Sequence, residues 1–193
     1  MASTAIDYIV NSIFSSRTYI ISSISDKRIW LVDIGDTDKV FSIIPDDSVI
    51  VGVLFTHIHY DHIYGINKLL KRFPHCLFYT NAEGLKAFCS PRTNMSKYHN
   101  DPIEYRGANI RVLQNRDVVR LFDDFTLDVY ETPGHNPSCL TFVGESAIFT
   151  GDSYIPGIKV VTTLPGGNKQ KALSSLEQIL SLSLGKTIYP GHD

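Results

Sequence analysis

The stretch Val49-Ile50-Val51-Gly52-Val53-Leu54-Phe55-Thr56-His57-Ile58-His59-Tyr60-Asp61-His62 decides how the rest of the chain reads. Its first seven residues are an apolar, β-branched-rich run of strand length. Its last six pack three imidazoles and a carboxylate into one short segment. A strand alternates its side chains with period two, so His57 and His59, continuing the run, point to the same side and can share one metal ion. Beyond them Ile63, Ile66, Leu69, Leu70 and Phe73 recur at helical spacing, which predicts a helix reaching Phe73. Asp61 and His62 fall at the strand-to-helix junction and face the same cavity from a second direction.

Three further candidate ligands follow expected strands, each beside turn-forming residues: His135 in Thr132-Pro133-Gly134-His135, Asp152 in Phe149-Thr150-Gly151-Asp152, and His192 in Tyr189-Pro190-Gly191-His192. Backbone turned by Gly or Pro just before a polar side chain presents that side chain at the rim of a rigid sheet. Five histidines and two aspartates without a thiolate suit zinc, iron or manganese. Seven donors exceed what one ion takes, which argues for two adjacent divalent ions sharing one carboxylate.

The order His-x-His-x-Asp-His, Pro-Gly-His, Thr-Gly-Asp and a last Gly-His resembles the metallo-β-lactamase superfamily over nearly the whole chain, and most of all its short bacterial glyoxalase II-like (hydroxyacylglutathione hydrolase-like) members. Leu54-Phe55-Thr56-His57, Asn94-Met95-Ser96, Phe149-Thr150-Gly151-Asp152-Ser153 and Leu164-Pro165-Gly166-Gly167 support the resemblance. It implies an α+β fold, an αββα four-layer sandwich of two mixed β-sheets face to face with helices outside. It also implies that His57, His59 and His135 hold one metal, that Asp61, His62 and His192 hold the other, and that Asp152 bridges them. Asp33, ending Leu31-Val32-Asp33, matches an acid that steadies the ligands from behind in this family. The best-known β-lactamases of the superfamily look as if they carry Cys where this chain has Asp152, which counts against antibiotic hydrolysis.

Two segments depart from the glyoxalase pattern. The loop after His135 reads Asn136-Pro137-Ser138-Cys139 where such relatives have Thr-x-Gly-His or Thr-x-Gly-Ser, so the substrate-side wall is expected to differ. Glyoxalase II proper adds a helical domain that helps bind glutathione, and the sequence runs only to Asp193. A ligand so near a chain end frays unless tied down, which makes His192 the expected weak point of the second metal site.

The 193 residues fit a single domain over 1–193 with a substantial core; 43% hydrophobic and 20% charged residues are ordinary for a globular chain. A net charge of −2 gives no electrostatic case for a nucleic-acid partner. No run approaches the roughly 18 apolar residues of a membrane helix, and Met1 to Phe14 lacks the basic start of a secretory signal. Three cysteines, Cys76, Cys89 and Cys139, cannot all pair with one another and suit a reducing compartment, so a cytoplasmic bacterial enzyme with a small-molecule substrate is expected. The sequence leaves oligomeric state open.

Tyr8 to Phe14, Thr18 to Ile24 and Arg28 to Ile34 read as strands, and the Val49 strand, its helix and Leu77 to Thr80 as a β-α-β unit. Ala82 to Phe88 reads as a short helix, and Cys89 to Ile110 as a long loop covering one side of the site. Ile110 to Leu113, Phe125 to Glu131, Leu140 to Val143, Ala147 to Phe149 and Thr187 to Tyr189 read as strands, Lys169 to Leu180 as an amphipathic helix. Lone histidines such as His75 and His99 read as surface or loop residues, and Cys139 as a small buried hydrophobe. Tyr154 and Lys159, just beyond Asp152, stand as substrate-contact candidates.

Two divalent ions, zinc before iron or manganese, lower the pKa of a bridging water from about 15.7 toward about 7. The expected chemistry is attack by that hydroxide on a thioester or ester of the hydroxyacyl-thiol type, with the catalytic aspartates Asp61 or Asp152 moving the proton. A thiolate leaves with little acid help. The alternatives are a mononuclear iron persulfide dioxygenase, whose ligands would be His57, His135 and Asp152, and a non-catalytic metal-bearing binding or sensor protein.

Overall fold

A computed structural model describes residues 4–192; the outermost residues of the domain expected over 1–193 lie outside it. Eleven strands form two sheets among the described residues. Sheet one follows chain order in space: β1 (Thr4–Val10), β2 (Arg17–Ser23), β3 (Asp26–Val32), β4 (Val49–Leu54), β5 (Leu77–Thr80) and β6 (Ile110–Val112). Its first three strands pair antiparallel and β3 to β6 pair parallel. Sheet two contains β7 (Val118–Phe122), β8 (Phe125–Glu131), β9 (Leu140–Val143), β10 (Ala147–Gly151) and β11 (Thr187–Pro190), antiparallel except for the parallel β10–β11 edge. Both sheets are therefore mixed.

Strand periodicity explains the layers. Along β3, Ile29 and Leu31 enter a core against helices, while Trp30 and Val32 enter a second core against sheet two. The first core also takes Val40 from α1 (Thr37–Ile43), Ile63 from α2 (Tyr60–Ile63), Ile66 and Leu69 from α3 (Ile66–Arg72), and Phe88 from α4 (Ala82–Phe88). The second is closed by Leu127, Val129, Leu140, Phe142 and Phe149 of sheet two. A third, smaller core seats Ile179 of α5 (Lys169–Leu182) on Tyr130, Val143 and Ile148. Three cores between four layers make the αββα sandwich. No helix among the described residues is long and apolar enough to cross a membrane.

Several elements differ from the sequence reading for local physical reasons. The first strand ends at Val10 instead of reaching Phe14, because Asn11 N donates to Ser16 O at 2.7 Å and closes a turn in which Phe14 and Ser15 take positive φ. The helix expected through Phe73 breaks between α2 and α3: Gly65 N donates to Ile34 O at 3.2 Å and Ile34 N to His62 O at 2.9 Å, tying the break to the end of β3. Helix α1 and strand β7 have no counterpart in the sequence reading. Helix α1 buries only Thr37 and Val40, too little for a periodic signal; β7 is two residues from β8 and pairs with it across the turn at Asp123 and Asp124.

Two side chains lock the layers. Trp30 Nε1 donates to Leu121 O across the second core at 3.1 Å, and the indole lies over Gly52, where a Cβ would run into the ring. Asp36 ties the β1–β2 turn to α1 and α2 by accepting from Ser12 N (2.9 Å), Ser12 Oγ (2.6 Å), Tyr64 Oη (2.6 Å) and Lys39 Nζ (2.7 Å). Burial works to raise the Asp36 carboxyl, but these donors, Lys39 first, outweigh it and hold its pKa at about 2.

Gly52→Ala should displace the indole and cost about 1–3 kcal/mol in urea unfolding; an unchanged midpoint would show that the indole does not hold the two sheets in register. Asp36→Asn should be less stable than the parent at neutral pH. Because the folded-state pKa lies below the ordinary 3.8, the stabilisation is present above that value and disappears as pH falls toward about 2. The two melting curves should therefore converge in that window, and a constant gap down to pH 2 would contradict the assignment.

Candidate metal centre

The site begins with one residue at the end of β3. Asp33 is fully buried and sits at φ 59°, a left-handed conformation that Asp tolerates better than most residues. Its Oδ1 accepts from Thr56 N at 2.8 Å, and its Oδ2 accepts from Thr56 Oγ1 at 2.7 Å and from His62 Nδ1 at 2.8 Å. Thr56 Oγ1, with its proton committed to Asp33, lies 3.3 Å from His57 Nδ1 and accepts from it. Burial pushes the Asp33 carboxyl above its usual range despite His62 and Thr56. One carboxylate thus orients His62 directly and His57 through a hydroxyl, turning the Nε2 atom of each toward the other candidate ligands.

His57, His59 and His135 converge with one ligand atom of each within 4.8 Å of the others. His59 Nδ1 lies 2.9 Å from His135 Nε2, His135 Nδ1 donates to Val161 O at 2.8 Å, and Asn136 Nδ2 sits 2.8 Å from His59 Nε2. The two histidines do not continue the strand as the sequence suggested. Strand β4 ends at Leu54, and Thr56 turns its carbonyl to Leu140 N of the opposite sheet at 2.7 Å, so His57 and His59 extend into the gap between the sheets. Burial, reinforced by the neighbouring imidazoles, holds His57 well below its ordinary pKa and lowers His59 to about 3. Both rings are neutral at physiological pH, the form that binds metals.

Asp61, His62 and His192 form a second such group, with Asp61 Oδ2 3.3 Å from each imidazole Nε2. Asp152 stands between the groups. Its Oδ2 lies 3.5 Å from His135 Nε2, and its Oδ1 lies 3.5 and 3.4 Å from the Nε2 atoms of His62 and His192. Burial works to lower both imidazoles of the second group, but the carboxylates reverse it: Asp61 and Asp33 lead in raising His62 well above its usual value, and the nearby carboxylates of Asp152 and Asp61 bring His192 to about 9. Three acids around two imidazoles demand positive charge. Protons supply it in part; a dication supplies it better.

His192, expected to be the frayed ligand, is tied down. Its Nδ1 donates to Phe14 O at 3.0 Å, Gly191 N donates to Gly151 O at 3.0 Å, Arg17 N donates to Gly191 O at 2.8 Å, and Tyr19 Oη donates to Pro190 O at 2.6 Å. A Cβ at Gly191 would strike Asp152 Oδ1, so this position has room for the acid only as glycine. His57 Nε2 and Asp152 Oδ1 are buried with no hydrogen-bond partner among the described residues. Converging bare imidazole nitrogens, carboxylates on both sides and two orphaned buried polar atoms fit a pair of divalent ions.

A cavity of about 350 Å³ opens over these groups, lined by His59, Asp61, His135, Asp152 and His192 together with Phe14, Tyr60, Met95, His99, Val161 and Leu164. Tyr154 and Lys159, the substrate-contact candidates, are not among its lining residues. The chain after Asp152 doubles back through the Ile155–Ile158 bridge, and both residues line a separate cavity beside α5. His99, read from sequence as a surface or loop residue, does line the cavity. Its signal was out of reach, because it stands on a single turn (Ser96–His99) inside an irregular loop. Thr56, which carries the Asp33–His57 link, was marked only by its place before His57. Cys139 is buried beside the site with its thiol pushed up to about 12, chiefly by burial, and behaves as the packed hydrophobe expected of it.

Two facing mixed sheets with ligands on the loops at one end define a class of metal-binding αββα proteins. Residues 32–192 match the metallo-beta-lactamase superfamily, and the chain belongs to it. It is 27% identical over 184 residues to the hydroxyacylglutathione hydrolase of Tolumonas auensis, an alignment covering 90% of this chain and 64% of that one; it thus spans less than two thirds of that relative's length. Among solved structures, the BLEG-1 B3 metallo-beta-lactamase superposes with a TM-score of 0.87 at 23% identity, over 98% of this chain and 92% of that one. TTHA1623 in a di-iron-bound form superposes with a TM-score of 0.81 at 22% identity, over 97% and 92%.

Asp33→Asn keeps a side chain that tolerates the left-handed backbone and removes only the charge. It should weaken divalent-ion binding roughly 10–100-fold in chelator competition. Unchanged affinity would mean that Asp33 is a packing residue alone.

Proposed function

We propose that the chain is a binuclear metal-dependent hydrolase of thioesters or esters, most suitably hydroxyacyl-thiol conjugates. The observation that carries this reading is Asp152 standing between two three-ligand groups with one carboxylate oxygen toward each. In it His57, His59 and His135 hold one divalent ion, Asp61, His62 and His192 hold the other, and Asp152 is shared. Ions so held supply a water acidified toward neutrality and polarisation of an acyl oxygen. The likeness to a named hydroxyacylglutathione hydrolase supports the substrate class.

The chain's own residues set the rest. Asp33 and Thr56 fix the rings of His62 and His57, and the carbonyls of Val161 and Phe14 fix those of His135 and His192. Burial works to raise the carboxyls of Asp61 and Asp152, but the surrounding imidazoles, His62 foremost, hold both below the usual range, so they are poor proton donors at neutral pH. That favours a substrate whose leaving group departs unprotonated. In a thioester, water oxygen bonds to the acyl carbon, the C–S bond breaks with its electron pair on sulfur, and a carboxylic acid and a thiol result.

Protein purified without chelator and reloaded should hold two divalent ions per chain by mass spectrometry and hydrolyse S-lactoyl thioesters. Asp61→Ala should retain one ion and lose turnover by about a hundredfold or more. No metal under replete conditions would overturn the reading, and a single iron with oxygen uptake on a persulfide would replace it with the dioxygenase.

A further inference from the structure

Beyond the metal ligands, the cavity is walled by apolar and aromatic groups held rigidly in place. His99 stacks on Tyr60 with ring centroids 4.3 Å apart and planes 14° from parallel, and Phe14 meets His99 edge-on at 5.5 Å and 74°. Tyr60 Oη donates to Asp101 at 3.0 Å, which keeps the phenol turned away from the ligands. Met95, Val161 and Leu164 add apolar surface to the same cavity.

The wall is built at a conformational cost. Non-glycine residues rarely take positive φ, and here Phe14, Ser15, Met95 and Asn100 do so in the two segments that form the rim. Both segments are clamped by polar groups. Phe14 O accepts from His192 Nδ1. In the other, buried Asn94 donates to Ala87 O (3.1 Å) and Ile103 O (2.8 Å), while Ser96 Oγ accepts from Ile103 N at 2.8 Å. The result holds Phe14 in solvent, 67% exposed, beside the metal groups. A strained backbone that pins an exposed aromatic at a cavity mouth calls for a ligand to cover it. None of the residues lining the cavity, all of them described, is a lysine or arginine that could receive a second carboxylate.

We infer that Phe14, Tyr60, Met95 and His99 form the specificity wall for the acyl group, and that they select acyl thioesters bearing an uncharged aromatic or branched apolar substituent over small polar or anionic ones. The inference rests on the hydrolase reading above and names the substrate side of it. Burying one phenyl group against this wall should favour the aromatic substrate by about tenfold or more in kcat/KM.

The test uses the metal-loaded full chain with three thioesters of one thiol, S-mandeloyl-, S-lactoyl- and S-malyl-N-acetylcysteamine, which differ only in the acyl substituent. The expected order is mandeloyl, lactoyl, malyl. Phe14→Ala and His99→Ala should each remove most of the mandeloyl-over-lactoyl advantage in kcat/KM, because the methyl group of lactoyl is too short to rest on these rings. Phe14→Arg should raise the malyl rate relative to the parent. A lactoyl or malyl preference, or an equal loss on all three substrates in both alanine variants, would overturn the inference while leaving the hydrolase reading intact. If no thioester turns over, the hydrolase reading fails and calorimetry decides separately: mandelate binding tighter than lactate, with the difference abolished in Phe14→Ala, supports the wall, and equal binding overturns it.

Discussion

The buried Asp33 carboxylate is the constraint on which the site depends. It accepts three hydrogen bonds, two from Thr56 and one from His62. Through them it joins the ends of β3 and β4 to the first turn of α2. A buried carboxylate is expensive unless such donors surround it, and here every donor belongs to a segment that carries a metal-binding side chain. The carboxylate therefore fixes the ring orientations of His57 and His62 and the spacing between the two ligand groups in one stroke.

The second dependency is the meeting of the two sheets. Sheet one contributes His57, His59, Asp61 and His62 from the loop after β4 and from α2, and sheet two contributes His135, Asp152 and His192 from the loops after β8, β10 and β11. Neither set is complete alone. Bonds that cross between the sheets, Leu140 N to Thr56 O, Tyr19 Oη to Pro190 O and Trp30 Nε1 to Leu121 O, hold the halves at the separation the ligands need. Helix α5 adds a further tie, since Ser175 Oγ donates to Pro133 O at 2.7 Å, two residues from His135. Packing energy in the inter-sheet core is thus what keeps the imidazoles and buried carboxylates together.

Around that rigid centre the chain places an apolar rim from two irregular segments, the β1–β2 turn and the loop between α4 and β6. Loops on a fixed scaffold are where members of one fold differ in what they accept. Here the loops are stiffened by the Asn94 and Ser96 hydrogen bonds and by the carbonyl of Phe14, so the cavity's shape belongs to the folded state and does not await a ligand.

By itself the sequence determined the two-sheet sandwich, and it offered the seven His and Asp side chains that the structure brings together. Strand and helix periods are local properties, and four His and Asp side chains in one short segment with three more placed just after glycine form a recognisable ligand pattern. It misjudged what depends on distant backbone: the end of β1, fixed by the Asn11–Ser16 closure, and the break before α3, fixed by bonds to Ile34. Only the tertiary structure decided that His99, Tyr60, Phe14 and Met95 share a wall. They come from three separate segments with no common period, and what unites them is the cavity between the sheets that each happens to border.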